Sequence, residues 1–156
     1  MSENKTKLAI IIPCFNEELV VKSTVETLLG VLDNIIAKGK IAEDSYIYLV
    51  DDGSKDKTWE IIEGLHSTYG ARVKGTKFIR NYGNQKALIA GLLGVKNIGC
   101  DCVISIDADL QQDEKAIETF IDEYHKGAEI VSGIRNDRKT DSFFKKYTAL
   151  CFYKLM

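Results

Sequence analysis

Carboxylates gather in three short stretches of this chain, each directly after an apolar run: Glu17 and Glu18 in PCFNEE (13–18), Asp51 and Asp52 in DDGS (51–54), and Asp107, Asp109 and Asp113 in DADLQQD (107–113). A single acidic residue after a strand is ordinarily a helix cap or turn former. Three such loops need another account, because clustered carboxylates repel one another unless a cation or hydrogen-bond donors neutralise them. Hard oxygen ligands select magnesium or manganese, which complete an octahedron with water and phosphate oxygens, so a diphosphate-containing substrate follows. Asp51, at the end of its apolar run, can accept a hydrogen bond from a base N–H, as a nucleotide pocket requires. Asp52 could simply cap the turn that follows.

Two basic clusters accompany these loops. RNYGNQK (80–86) carries amide-bearing and basic side chains that either order a helix-capping loop or touch the nucleotide, and GIRNDRK (133–139) is either an ordinary solvated basic loop or one whose Arg135 and Arg138 make bidentate contact with phosphate. Neither G-x-G-x-x-G nor G-x-x-x-x-G-K-[ST] follows the first apolar run, so dinucleotide binding and a P-loop are unsupported. His66 and His125 fall on helical patterns away from the acidic loops. The four cysteines, Cys14, Cys100, Cys102 and Cys151, are too sparse for a disulfide framework and fit a reducing compartment. The C-x-C pair has no zinc-type partner spacing.

To position loops of this kind the chain alternates strand-length apolar runs with helical periodicity, the pattern of an α/β fold with a largely parallel sheet. Strands are expected at 8–13, 46–50, 73–79, 102–106 and 129–133. Asn16 is the expected cap of a helix whose apolar stripe runs Val21, Val25, Leu28, Leu29, Leu32 and Ile36. A second helix carries Trp59, Ile62, Leu65 and Tyr69, closed by Gly70. A third, at 84–95, presents Leu88, Gly91, Leu92 and Val95, its glycine implying close packing on the sheet. Ile117, Phe120, Ile121 and Tyr124 mark a fourth. In open sheets of this kind ligands bind beyond the carboxyl ends of the strands, where the acidic loops lie.

The 156 residues suffice for one domain, and 45% hydrophobic residues can supply its core. Lys and Arg number 21 against 23 Asp and Glu, so a net charge of -2 provides no field favouring nucleic acid. No run approaches the roughly 18 apolar residues of a membrane span, and the polar start lacks a signal peptide's apolar stretch. The stretch 142–156 sets Phe143, Phe144, Tyr147, Phe152 and Tyr153 among Lys145, Lys146 and Lys154. It is either a helix packed on the sheet or a basic aromatic helix lying at a membrane surface.

Taken together, IIPCFNEE (11–18), LVDDGSKDKT (49–58), RNYGNQKA (80–87), SIDADLQQD (105–113) and SGIRNDR (132–138) resemble glycosyltransferase family 2, most closely its polyprenyl-phosphate branch. The resemblance implies a GT-A fold, a Rossmann-like three-layer sandwich, and an inverting, metal-dependent transfer using Mg2+ or Mn2+. By position it assigns Pro13, Phe15 and Glu17 to the first nucleotide-contacting loop, Asp51 to the base, and Leu49 to that pocket's lining. Asp107-Ala108-Asp109 matches the DxD signature, with Asp109 the metal ligand and Asp107 beside ribose and metal. Gln111 falls at the donor sugar or diphosphate, and Arg135 and Arg138 near an acceptor phosphate. Gln112-Asp113 stands where many members have proline.

The implied donor is a nucleotide-diphosphate sugar with uracil as its base, and the implied acceptor a polyprenyl phosphate at the cytoplasmic face of a membrane. The alternatives are a saccharide acceptor in cell-surface polysaccharide synthesis and a non-catalytic nucleotide-sugar module. A phosphohydrolase using Asp107 and Asp109 is disfavoured because that D-x-D would follow the first strand. Lipid-acting relatives continue past the equivalent of Met156, so residues 1–141 are expected to be an incomplete donor domain and 142–156 the start of an interfacial helix. A homo-oligomer is compatible with the sequence.

Overall fold

The computed structural model describes residues 5–110 and 116–133. They form β1 (Leu8–Cys14), α1 (Val21–Ala37), β2 (Tyr46–Asp51), α2 (Thr58–Tyr69), β3 (Val73–Lys77), α3 (Asn84–Ile98), β4 (Cys102–Ser105) and α4 (Ala116–His125). The strands make one sheet in the order β3-β2-β1-β4, and every pairing is parallel. The α/β sandwich expected from the sequence is therefore present.

Central strands covered on both faces must be apolar on both faces. Accordingly β2 is buried throughout and β1 everywhere but Pro13. Alternate residues then supply two cores. Leu8, Ile10, Ile12, Ile47 and Leu49 pack with α1, α2 and α4, whereas Ala9, Ile11, Tyr46, Tyr48 and Val50 pack with α3. Each fully buried aliphatic side chain contributes about 1.5–3 kcal/mol. Pro13 is tolerated in a central strand by its register. Ile11 is the last β1 residue paired with β4, at Ser105, so the missing Pro13 N–H points past the end of that neighbour.

Helix α3 presents small residues to the sheet. A Cβ on Gly91 would lie 2.6 Å from Ile11 Cγ2, and one on Gly94 2.6 Å from the Tyr48 hydroxyl. This close approach turns the helix so that Ala87, Gly91 and Val95 are buried, while Leu92, expected on the buried stripe, is 44% exposed. Three further expectations are corrected. Helix α1 starts at Val21 with no side-chain cap, and Asn16 is engaged elsewhere. Strand β3 stops at Lys77, leaving Ile79 92% exposed, because the chain turns to meet the loop after β2. Residues 129–133 form no strand: no described strand pairs with them, and Ile130 is 91% exposed. Among the described residues no helix is long and apolar enough to cross a membrane.

Close helix-to-sheet contact predicts that Gly91→Ala costs about 1–3 kcal/mol through overpacking. Gly30→Ala on exposed α1 surface, where nothing lies within 4 Å, should gain about 0.5–1 kcal/mol. Urea unfolding of both variants checks the pair.

Candidate functional site

Because all four strands run in one direction, the segments that follow them emerge at one edge. The chain builds outward from β1 to β2 and β3, then α3 carries it back to β4 on the opposite side of β1. This reversal between β1 and β4 is the switch point at which such sheets bind ligands.

The first two loops are stitched together by backbone donors. Asn16 N–H donates to Ser54 Oγ (2.9 Å), and Lys55 N–H donates to Asn16 Oδ1 (2.9 Å). Glu17 N–H donates to Thr58 Oγ1 (2.8 Å), Glu18 N–H to Asp56 Oδ2 (3.1 Å), and Lys57 N–H to Glu18 Oε2 (2.9 Å). Asn16 takes a φ of 56°, a left-handed conformation that asparagine tolerates better than most residues, so its task is to turn this loop. Burial acts to raise the Asp56 pKa, but the Thr58 hydroxyl and backbone N–H groups outweigh it and hold the carboxyl below its ordinary value.

Asp51 is fully buried at the end of β2. Its Oδ1 accepts from the Ser54 N–H at 3.0 Å, while its buried Oδ2 has no hydrogen-bond partner among the described residues. A buried carboxylate oxygen left unmatched is costly, so this oxygen calls for a donor, which a ligand N–H or an ordered water would supply. Leu49 lies two residues earlier on the same face and is fully buried in the core.

Asp52 does something the sequence reading missed. It is 3% exposed, and its two oxygens accept from Tyr82 N–H (2.7 Å) and Gly83 N–H (2.8 Å), anchoring the loop after β3. Gly53, at φ 71°, lies against that loop so closely that a Cβ would come 2.3 Å from the Arg80 carbonyl carbon. The anchored loop holds the Tyr82 ring edge-on to Phe78, with the Arg80 guanidinium 5.0 Å and Lys86 Nζ 5.7 Å from its centroid. An aspartate preceding a glycine that must admit another backbone was the available signal.

After β4, Asp107 and Asp109 are exposed and Ala108 between them is buried. The turn closes through Leu110 N–H to the Asp107 carbonyl at 3.3 Å, with Leu110 at φ 47°. Burial raises the Glu17 carboxyl above its ordinary pKa, and the negative charges of Asp109 and Asp56 add to the rise. Glu17 and Asp109 are thus within electrostatic reach across the switch point. Phe15, beside them in sequence, is 41% exposed, and Pro13 is partly buried. Gln111, Arg135, Arg138 and the stretch 142–156 lie outside the described residues.

Both histidines sit away from this edge, as expected: His66 Nδ1–H donates to the Val73 carbonyl (2.6 Å), and His125 pairs with Thr6 Oγ1 (3.1 Å). Cys14 is buried, which pushes its thiol pKa well up and makes it a poor nucleophile. Among the described residues no group of three or more His, Cys, Asp or Glu side chains could hold a metal ion. The exposed Asp107 and Asp109 carboxylates suit a different arrangement, in which Mg2+ or Mn2+ takes one or two carboxylates and fills its shell with diphosphate oxygens and water.

The sequence model of glycosyl transferase family 2 matches residues 9–155, and the chain belongs to that family. It is 53% identical over 156 residues to YkoT, an uncharacterised glycosyltransferase of Bacillus subtilis, covering 100% of this chain and 46% of the relative. It is 36% identical over 149 residues to a bactoprenol glucosyl transferase of Shigella phage SfV (96% and 45% covered). Against an undecaprenyl-phosphate 4-deoxy-4-formamido-L-arabinose transferase of Edwardsiella ictaluri it is 34% identical over 148 residues (94% and 42%). The chain thus spans a little under half the length of these relatives. Two solved structures share the fold. One is S. aureus TarS 1-349 in complex with UDP (TM-score 0.54, 20% identity, 84% of this chain and 40% of that one). The other is the mannosyltransferase PcManGT of Pyrobaculum calidifontis in complex with GDP-Man and Mn2+ (TM-score 0.51, 19% identity, 69% and 28%).

The Asp52 anchor predicts that Asp52→Ala destabilises the protein by about 3 kcal/mol, the loss of two charge-assisted hydrogen bonds. Amide exchange at Tyr82 and Gly83 should quicken well beyond that of the β1 amides. Unchanged exchange there would remove Asp52 from this role.

Proposed function

From that family membership we propose that the protein is an inverting glycosyltransferase that moves a sugar from a UDP-sugar to a polyprenyl-phosphate carrier. The observation that carries the nucleotide part is the buried, unmatched oxygen of Asp51 at the carboxyl edge of the sheet. A base N–H would satisfy it, with Pro13, Phe15 and Glu17 in the neighbouring loop; Leu49, which the resemblance places in the pocket lining, is fully buried in the core. The UDP held by the fold-related TarS and the GDP-Man held by the fold-related PcManGT support a nucleoside-diphosphate donor, and uracil is the base that the sequence resemblance implies. The acceptor is supported by relatives named as bactoprenol and undecaprenyl-phosphate transferases.

In this reading Asp109, with Asp107 beside it, would hold a divalent cation, Mg2+ or Mn2+, which when bound would supply positive charge to stabilise the departing nucleoside diphosphate. Gln111 contacts the donor sugar or diphosphate. An acceptor phosphate oxygen attacks the anomeric carbon from the face opposite the leaving group, and the bond to the nucleoside diphosphate breaks. No general base is required, because a phosphate monoester has a second pKa near 6 and is already a charged nucleophile at neutral pH. Arg135 and Arg138 hold that phosphate by bidentate hydrogen bonds. Residues 1–141 supply the donor-binding domain, and the basic aromatic stretch 142–156 meets the cytoplasmic surface of the membrane.

Asp51→Asn keeps an oxygen for the Ser54 N–H but turns an NH2 donor toward the base, where an acceptor is required. UDP affinity measured by calorimetry should fall about 10- to 100-fold, the equivalent of one charge-assisted hydrogen bond. Asp109→Ala should abolish the Mn2+ dependence of UDP binding, and unchanged dependence would reject the assigned cation site. Transfer to polyprenyl phosphate, and none to saccharide alcohols, is the expected acceptor profile; the reverse profile would overturn the acceptor assignment.

A further inference from the structure

Helical hydroxyls ordinarily return to their own helix, donating to a carbonyl three or four residues back. Ser23 does so to Val20, Ser67 to Glu63 and Thr68 to Gly64, each at 2.9 Å. Thr24 does not. Its hydroxyl leaves α1 and donates to the Ala108 carbonyl, 84 residues away in sequence, at 2.6 Å. Thr24 is 2% exposed and Ala108 4% exposed, so this is a buried bond whose acceptor would be left unsatisfied without it.

The bond's place in the turn gives it a consequence. The Ala108 carbonyl belongs to the same rigid peptide plane as the Asp109 N–H. Fixing that carbonyl fixes the plane and so the position of the Asp109 Cα. The rotation about the Asp109 N–Cα bond that then aims its Cβ is limited by the Leu110 N–H bond to the Asp107 carbonyl (3.3 Å), which closes the turn. Ile106 N–H is tied to the Ile11 carbonyl at 3.0 Å on one side of the turn, and on the other Leu110 is held in a left-handed conformation that leucine seldom adopts. Such a turn keeps its shape only where the surroundings over-determine it. Thr24 provides that constraint from the helix that leads out of the Glu17 loop.

We propose that Thr24 is a positioning residue: its hydroxyl, by holding the Ala108 carbonyl, orients Asp109 to receive the divalent cation. This rests on the reading of Asp109 as a cation ligand. Thr24→Val removes the hydroxyl at constant shape, Thr24→Ser restores it, and Thr68→Val reports the generic effect of losing a helical hydroxyl. Two readouts are taken on the protein: amide exchange of Asp109 and Leu110 without ligand, and the Mn2+ concentration at half-saturation of UDP binding. T24V should speed exchange at these amides several-fold and raise the Mn2+ half-saturation about tenfold, with UDP affinity in the absence of cation unchanged. T24S should return both to within about twofold of wild type, and T68V should move neither. Thr24→Ala carries the same expectation as T24V should the valine variant not fold.

Wild-type exchange and Mn2+ dependence in T24V, or a T24S variant as impaired as T24V, would overturn the proposal. UDP binding that ignores Mn2+ in the wild type would overturn the cation reading of Asp109 and the cation role given to Thr24. Faster exchange in T24V would then still show the hydroxyl holding the turn, which separates failure of the function from failure of the contact.

Discussion

The parallel pairing of β1 with β2 and β4 is the constraint from which the rest of the molecule follows. It brings Cys14 level with Asp51 and Ile11 level with Ser105, so the segments leaving three strands open at one edge. An antiparallel neighbour would send one of these segments to the opposite edge and scatter the carboxylates. Parallel strands also oblige helices to cover both faces, which explains why β1 and β2 carry almost no polar residue before their ends. The change from apolar to acidic at the ends of β1 and β2 marks where the chain leaves the covered sheet.

Gathering acidic residues at one edge is destabilising unless something answers their charge. Much of the answer comes from neighbouring loops rather than from basic side chains. Glu18, Asp51, Asp52 and Asp56 each accept from at least one backbone N–H of a turn they help to shape. Those bonds make the loops after β1, β2 and β3 into one surface, and they assign different tasks to adjacent residues: both Asp52 oxygens hold structure, whereas one Asp51 oxygen is left without a partner among the described residues. Such a difference is what separates a scaffold carboxylate from one available to a ligand.

Much of this was legible in the chain. Strand and helix order followed from the period of the apolar residues, and the acidic edge followed from their positions after strands. What the sequence hid depended on partners distant along the chain. Asn16 looks like a helix cap because its type suits one, but its side-chain Oδ1 accepts from the Lys55 N–H across the loop. Leu92 fits the helical stripe, yet two glycines on α3 bring the helix close and turn their own face inward. Asp52 and Thr24 look like ordinary turn and helix residues; only the packing of 80–83 on Gly53, and of α1 on the 108 carbonyl, gives them their contacts. The apolar run 129–133 has the composition of a strand without a described neighbour to pair with.

The nucleotide part of the proposed function turns on Asp51 accepting an N–H from the base. The direct measurement is calorimetric comparison of UDP with UDP methylated on the uracil ring N–H nitrogen, which deletes the donor and leaves sugar and phosphates untouched. The account predicts that methylation weakens binding at least tenfold. Equal affinity for the two nucleotides would contradict it, and would mean that the buried oxygen of Asp51 serves some purpose other than reading the base.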